Sequence, residues 1–366
     1  MSRFVGGYGL TRSLGLFRLT SVQALSFLVT ALLFLALTAY AVAQDVNVHI
    51  EPRDKATPPA DASKNNATPS SNVNSTADVP PGMTLRPTGK PIQKNVDLVL
   101  VNVTVTDDWN RIVTGLEKDN FTIQEGNQIQ EVRHFSSEDA PISLGVIFDM
   151  SGSMAEKITK AREAVVEFFK TANPQDEFFM ITFNDRPELA ADFTNSVEDV
   201  QGKLVFTVPR GRTALLDAIY MGLNKMKDAH NSKKALLIIS DGGDNHSRYT
   251  ENEIKSTVKE ADVQIYAIGI FTVNPTQPEE ASGPALLGDV TEVTGGRMFT
   301  INNPNELADV ATKIGIELRN QYVLGYRPTN KTRDGRWRKI KVKLVPPKGL
   351  PHLNVFAKTG YYAPAQ

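Results

Sequence analysis

Two carboxylates and three hydroxyls, from three separate parts of the chain, have the types and spacing to bind a cation. Residues 149–154 read Asp-Met-Ser-Gly-Ser-Met and directly follow the apolar run 142–148. That run is typical of a buried strand, and open α/β sheets bind ligands at the carboxyl ends of their strands. Asp149, Ser151 and Ser153 are alternate residues of the loop that follows, so they can direct three oxygen atoms at one point.

Two further segments bring similar groups to the same predicted edge. Thr213 lies at the start of a predicted helix, and the apolar run 235–240 is followed by Asp241. All five groups are hard oxygen ligands without cysteine or histidine, which suits Mg²⁺ best, with Mn²⁺ or Ca²⁺ as alternatives, and suits zinc or copper poorly. Because five groups leave an octahedral cation incompletely occupied, we expect a carboxylate of another molecule to complete the shell.

These motifs resemble the von Willebrand factor type A domain. The resemblance rests on D-x-S-x-S after an apolar strand, a distant threonine in G-x-T-A-L-x-D-A, and a strand that ends in S-D-G. It implies a metal-ion-dependent adhesion site whose five ligands are Asp149, Ser151, Ser153, Thr213 and Asp241. Asp217 and Asp244 are candidates for residues that hold these ligands in place, although Asp217 could be a helix-surface charge and Asp244 a turn residue.

The likeness extends over residues 96–364. The strand V-x-V-x-V-T-D-D, the segment V-T-G-L-x-K-D-N-F and the ending G-Y-Y-A-P are similar to an exported bacterial subgroup called VWFA-related, acidobacterial type. This resemblance implies a domain and a site rather than a biological pathway.

Helix capping and catalysis are alternatives to metal binding as roles for these residues. Ser153 could simply cap the helix that follows it. A hydrolase at the same strand ends would need G-x-S-x-G around Ser151, but Asp149 and Ser153 occupy the two glycine positions. No phosphate-binding or dinucleotide-binding glycine motif occurs, and no histidine is positioned by the sequence as a general base. We therefore do not expect an enzyme.

Composition and the N-terminal residues restrict the partners and the compartment. The chain has 40 lysine and arginine residues against 41 aspartate and glutamate, a net charge of −1, which gives no reason to expect nucleic-acid binding. It has no cysteine, so disulfides and thiolate metal sites are excluded. A basic start followed by an apolar run predicts export, with cleavage after Ala43 or retention of residues 24–43 as a membrane anchor. The protein is then expected in the periplasm, at the cell surface or secreted.

From about residue 139 apolar runs alternate with helical patterns, whereas the flanking segments alternate apolar and polar residues. This predicts an α/β fold with a doubly wound, mostly parallel sheet and a flanking β domain built from segments before and after the core. The predicted parts are a leader at 1–43, a disordered linker at 44–95, a β module at 96–138, the α/β domain at 139–320 and a C-terminal β segment at 321–366.

The function expected from these features is that of an exported, divalent-metal-dependent module for protein binding or adhesion. Its partner is expected to be a protein that presents an aspartate or glutamate. Two alternatives stay open at this point: a metal-dependent hydrolase that uses the same strand ends, and a structural envelope protein that the metal stabilises.

Overall fold

The computed structural model describes residues 98–205, 208–271 and 278–365. The predicted leader and linker lie outside these residues. The described helices are α1 (Ile158–Phe169), α2 (Val197–Val205), α3 (Leu215–Lys225), α4 (Glu251–Glu260), α5 (Pro278–Thr294) and α6 (Leu307–Arg319). The strands are β1 (Val99–Asp107), β2 (Phe121–Glu125), β3 (Gln128–Gln130), β4 (Val132–Ser136), β5 (Ile142–Asp149), β6 (Glu177–Phe183), β7 (Pro187–Thr194), β8 (Lys233–Ser240), β9 (Gln264–Gly269), β10 (Met298–Thr300), β11 (Tyr322–Tyr326), β12 (Trp337–Leu344), β13 (Leu353–Ala357) and β14 (Gly360–Tyr362).

A six-stranded sheet in the order β10-β9-β8-β5-β6-β7 forms the centre of the α/β domain. Its strands pair in parallel except β7, which runs antiparallel to β6 at one edge. Helices α1, α2 and α6 cover one face and α3, α4 and α5 cover the other, each around its own apolar cluster. The predicted doubly wound, mostly parallel α/β fold is confirmed.

Apolar periodicity explains how the helices attach to this sheet. In α1 the side chains Ile158, Ala161, Val165 and Phe168 recur at three- and four-residue spacing, and all four are buried. Strand β5 is buried at every position, as the middle of a sheet covered on both faces requires.

The flanking segments form a β-sandwich of two four-stranded sheets, β13-β1-β11-β4 and β14-β12-β2-β3. Strand β1, which precedes the α/β domain, pairs antiparallel with β11 and β13, which follow it. Likewise β2 pairs with β12. The predicted β domain built from both flanks is therefore confirmed, and an apolar core that includes Val103, Ile123 and Tyr322 joins its two sheets.

One predicted strand is wrong. The sequence Arg-Ile-Val-Thr-Gly-Leu at 111–116 predicts a short strand, but only the isolated bridge between Thr106 and Ile112 is present. The Asp107 carboxylate accepts hydrogen bonds from the backbone and the guanidinium of Arg111, which closes a tight turn instead. Gly115 then takes a positive φ of 81°, which ends extended structure.

Among the described residues no helix is long and apolar enough to cross a membrane.

Candidate metal centre

Three loops meet at the carboxyl edge of the central sheet. The loop after β5 bonds to the loop before α3 through Gly152 N–H to the Gly211 carbonyl, 3.1 Å, and through Arg210 N–H to the Met150 carbonyl, 2.9 Å. The loop after β8 joins the loop before α3 through the carbonyl of Thr213, as described below. The edge therefore assembles the three segments that the sequence predicted to converge.

Asp149 ends β5 and is completely buried. Its Oδ2 accepts a hydrogen bond from the Ser240 hydroxyl at 2.6 Å, and its Oδ1 accepts one from the Ser151 N–H at 2.8 Å. Burial and the negative charge of Asp241 raise the pKa of Asp149 to about 7, although the hydrogen bonds from Ser151 and Ser240 lower it. A buried carboxylate beside a second carboxylate is a position that favours a cation.

Ser151 and Ser153 bring two hydroxyls together beside this carboxylate. Their Oγ atoms lie 3.0 Å apart, with Ser151 directly before the short 3₁₀ turn Gly152–Met154 and Ser153 within it. Helix α1 begins only at Ile158, with Lys157 at its N-cap position and no side-chain cap. The alternative role of Ser153 as the cap of this helix is therefore not observed.

Thr213 is held at the site by the loop after β8. Its N–H donates to the Asn245 side-chain oxygen at 3.0 Å, and its carbonyl accepts the backbone N–H groups of Asn245 and His246. Thr213 is 5% exposed. Asp244 fixes the helix that follows, because its Oδ2 accepts the N–H of Leu216 at 2.8 Å in the first turn of α3.

Asp241 is 6% exposed and has a cationic neighbour. The Lys157 ammonium lies 3.4 Å from its Oδ2 and 3.1 Å from the Ile270 carbonyl oxygen. The lysine thus supplies positive charge at the same edge, close to where a metal ion bound by Asp241 would lie.

Asp217 bonds away from these five residues. Its Oδ1 accepts the backbone N–H groups of Arg248 and Tyr249, and its Oδ2 accepts the Arg248 Nε at 3.1 Å. It ties α3 to the chain that enters α4. That Asp217 and Asp244 hold the metal ligands in place remains a prediction. Of the two, Asp244 makes the contact nearer to Thr213 along the chain, because it accepts the N–H of Leu216.

The donor set fits a hard divalent cation. Two nearly inaccessible carboxylates and two neighbouring serine hydroxyls offer only oxygen, which Mg²⁺, Mn²⁺ and Ca²⁺ prefer. In the described part of the chain no three histidine, cysteine, aspartate or glutamate side chains group as a metal cluster, so a site here depends on hydroxyl ligands. The five residues remain predicted ligands.

A serine, a glutamate and a histidine also meet at the opposite end of the sheet. The Ser143 hydroxyl donates to Glu177 Oε1 at 2.5 Å, and the His230 Nδ1 lies 2.8 Å from Glu177 Oε2. Because the carboxylate lies between the serine and the imidazole, His230 is not placed to take the proton from Ser143. Hydrogen bonds from Ser143 and His230 outweigh burial and hold the pKa of Glu177 below its ordinary value.

Three contributors to the metal-site geometry were not predicted from the sequence: Ser240, Asn245 and Lys157. Ser240 could have been identified from the sequence, because it is the single polar residue at the end of the apolar run 235–240, next to the candidate ligand Asp241. Lys157 and Asn245 could not, because their roles depend on which loops meet in three dimensions.

One comparison with known proteins concerns the same part of the chain. Residues 144–243 match the family model described as the von Willebrand factor type A domain. Inter alpha-trypsin inhibitor, heavy chain 4, from Mus musculus is 28% identical over 170 residues, which cover 40% of this chain and 18% of that relative. The same relative from Sus scrofa is 27% identical and is also covered over 18% of its length.

Solved structures also match this chain. A von Willebrand factor type A structure from Catenulispora acidiphila matches with a TM-score of 0.45 at 12% identity, covering 73% of this chain and 75% of that one. The vWF domain of the type V pili tip protein Mfa5 from Porphyromonas gingivalis matches with a TM-score of 0.38 at 13% identity, covering 48% and 94%.

Proposed function

Because residues 144–243 match the family model of the von Willebrand factor type A domain, we propose that this protein is an exported binding module that depends on a divalent cation. The partner is a protein that presents an aspartate or glutamate side chain to the site. The observation that carries the proposal is the pair Asp149 and Asp241, two almost inaccessible carboxylates beside the Ser151 and Ser153 hydroxyls at the edge where α/β sheets bind ligands.

The proposed ligands are Asp149, Ser151, Ser153, Thr213 and Asp241, and the preferred ion is Mg²⁺, with Mn²⁺ or Ca²⁺ as alternatives. When bound, the ion would supply positive charge that attracts a carboxylate from another molecule. The chain itself prepares the site: Ser240 orients Asp149, and Asn245 holds the backbone of Thr213. The two carboxylates together carry a charge of −2, which balances but does not exceed that of a divalent cation, and the three hydroxyls add no charge. A further carboxylate can therefore still be accepted as a ligand.

Export is the second part of the proposal. It is supported by the basic and apolar N-terminal residues, and cleavage after Ala43 would make Gln44 the first residue of the mature protein. N-terminal sequencing of the protein recovered from the cell envelope tests this directly. A protein that begins at Met1 and fractionates with the membrane would instead support retention of residues 24–43 as an anchor.

Cation binding is tested by titrating Mg²⁺ into purified, chelator-treated protein in a calorimeter. We expect saturable binding to the wild type, and loss of that binding in Asp149→Ala and Thr213→Ala with the circular dichroism spectrum unchanged. Glu156→Gln is the matched control, because Glu156 is an exposed carboxylate near the same loop and outside the donor set. Equal Mg²⁺ binding by all four proteins would overturn the site.

Partner binding is tested by affinity purification from an envelope extract with and without EDTA, followed by rebinding with the purified partner. We expect the partner to bind the wild type only without EDTA and to bind Asp149→Ala in neither condition. A partner whose own aspartates or glutamates can all be replaced without loss of binding would contradict the proposed carboxylate contact.

A further inference from the structure

A groove of about 880 Å³ lies at the end of the α/β domain opposite the candidate metal centre. Its walls include the first residues of β8 and β9, the end of α4, the outer face of β1 and the chain around β14. Strand β8 starts at Lys233 in the groove and ends at Ser240 beside Asp149. At about 3.3 Å per residue the two places are roughly 23 Å apart along this strand.

The outer face of β1 is only half covered. Its side chains Thr104 and Thr106 are completely buried, whereas Leu98 and Leu100 line the groove and are 41% and 40% exposed. These leucines point away from the sandwich core, which takes the alternate residues of the strand. Part of this sheet face therefore offers apolar surface that the described chain leaves accessible.

Aromatic side chains form another part of the groove's lining. Trp337 and Tyr362 line the groove with ring centroids 5.1 Å apart in an edge-to-face arrangement, and Tyr362 is 39% exposed. Polar side chains, including Asn102, Ser136 and Asn330, belong to the same lining, so polar and apolar groups are mixed in it. An acyl chain prefers a continuous apolar lining, whereas a peptide alternates apolar side chains with polar backbone groups, so the mixed lining favours a peptide.

The charge of the groove is unlike that of the whole chain. Seven lysine and arginine residues line it against three aspartate and glutamate residues, whereas the full chain is balanced. Lys358 pairs with Asp262 at 2.8 Å, and Lys233 donates to a backbone carbonyl within the domain. Lys234 also donates to a backbone carbonyl, that of Met226, and the Lys259 ammonium lies 6.0 Å from the centre of the Trp337 ring. The lining further includes Arg327, Lys331 and Arg333, with Glu138 and Glu260 as its other two carboxylates.

We propose that this groove is a second binding surface, which takes a short acidic peptide segment of a protein partner. The segment carries two or more aspartate or glutamate residues and at least one large apolar side chain. The apolar side chains pack on Leu98, Leu100 and Trp337, and the carboxylates lie against the surrounding cations. This binding requires no metal ion, so the protein can hold one partner at each end of its α/β domain.

The test begins with a random dodecapeptide display library selected on the purified protein in EDTA, which removes the metal-dependent site from the experiment. We expect the enriched peptides to be acidic and to contain leucine, phenylalanine or tryptophan. Synthetic copies are then measured by fluorescence anisotropy. Their affinity should fall at least tenfold in the double variant Arg327→Glu, Lys331→Glu, both of which are exposed positions.

Lys341→Glu, Lys343→Glu is the matched control, since it makes the same charge change at exposed positions of β12 outside the groove. We expect its affinity for the peptides to stay within about twofold of the wild type. Leu100→Asn tests the apolar wall separately and should weaken binding while the far-ultraviolet circular dichroism spectrum stays unchanged. Together these results would show whether the affinity for the peptides depends on charge in the groove or on charge elsewhere on the molecule.

Four outcomes would overturn the proposal. Enriched peptides without acidic residues, or equal losses in the groove and control variants, would show that the groove does not select them. Binding of phosphatidylglycerol vesicles that is lost in the groove variant, with no peptide selected, would assign the surface to an anionic lipid. A dimer of the wild type that dissociates in the groove variant would assign it to a second copy of the chain. Because every step is carried out in EDTA, these outcomes are independent of the proposed metal site.

Discussion

At the residue scale, the candidate metal centre brings two carboxylates and a lysine within one edge of the sheet. The Lys157 ammonium lies 3.4 Å from Asp241, and both side chains are mostly shielded from water. In such surroundings a positive charge beside a ligand repels a divalent cation more strongly than it would in bulk water. We therefore expect Lys157 to lower the affinity of the proposed metal site without belonging to its donor set.

Replacement of this lysine by Lys157→Met should strengthen Mg²⁺ binding. Removal of one repelling charge near Asp241 is expected to contribute about 1 kcal/mol, or roughly a fivefold lower dissociation constant. Calorimetric titration of Mg²⁺ measures it. Lys160→Met is the control on the same helix, because Lys160 is exposed and pairs with Glu163. Weaker Mg²⁺ binding in Lys157→Met than in this control would show that the lysine supports the site rather than opposing the ion.

The candidate ligands could be predicted from the sequence because each carries a local signal. Asp149 and Asp241 directly follow nearly continuous apolar runs, which are typical of buried strands, and Ser151 and Ser153 belong to the same short loop. Lys157 and Asn245 have no comparable signal, because one reaches Asp241 from helix α1 and the other reaches Thr213 across two loops. Such contacts follow from tertiary packing, which a single sequence does not encode locally.

At the element scale, the loop that carries Asp241 is positioned by close packing against helix α5. Gly242 has a φ of 80°, and a Cβ atom added at Gly283 of α5 would lie 2.6 Å from the Gly242 carbonyl oxygen. Any side chain at Gly283 would therefore displace either the helix or the loop beside the candidate ligand.

Two glycine substitutions in α5 should have opposite effects. Gly283→Ala is expected to lower stability by about 1–3 kcal/mol through overpacking, and to weaken Mg²⁺ binding because Gly242 follows Asp241 directly. Gly288→Ala has no atom within 4 Å of its added Cβ, so it should be neutral or more stable by up to about 1 kcal/mol. Urea unfolding and Mg²⁺ titration measure both. Equal behaviour of the two variants would show that this contact does not constrain the loop.

Some strands and helices could be predicted from their own residues, and others could not. The buried strands β5 and β8 could be predicted because their apolar runs are nearly continuous. Strand β7 could not, since it begins with Pro187 and lies at an exposed edge with little apolar surface. Helix α5 contains Gly283, Pro284 and Gly288, which oppose helix formation, so its existence depends on packing against the sheet.

At the scale of the whole molecule, buried polar contacts join the α/β domain to the β-sandwich. Gln321 donates to Thr104 Oγ1 of β1 at 3.1 Å and to Gln264 Oε1 of β9 at 2.8 Å. Nearby, Glu317 of α6 accepts hydrogen bonds from Tyr266 and from Arg297. Helix α6 passes directly into β11 of the sandwich, so these contacts fix one domain against the other.

The ion pair between Arg297 and Glu317 should be essential to this connection. Glu317 is completely buried, and burial raises the pKa of its carboxyl although the Arg297 guanidinium lowers it. Arg297→Met leaves that carboxylate without its cation and is expected to cost about 3–5 kcal/mol, measured by thermal unfolding at pH 7. The double variant Arg297→Met, Glu317→Gln should recover much of the loss, since it no longer buries an uncompensated charge.

The pH dependence of the stability of Arg297→Met distinguishes two causes of its destabilisation. One is the uncompensated charge of Glu317, and the other is lost packing of Arg297 on Phe356. Loss of the guanidinium raises the folded-state pKa of Glu317 further above its unfolded value, so the folded protein binds the proton more tightly than the unfolded chain does. Its destabilisation should then be largest at high pH and shrink as the pH falls from 8 to 5. Lys170→Met, which breaks an exposed pair with Glu167, should change stability by less than about 1 kcal/mol at every pH. A gap between Arg297→Met and wild type that does not change with pH would assign the loss to packing rather than to the buried charge.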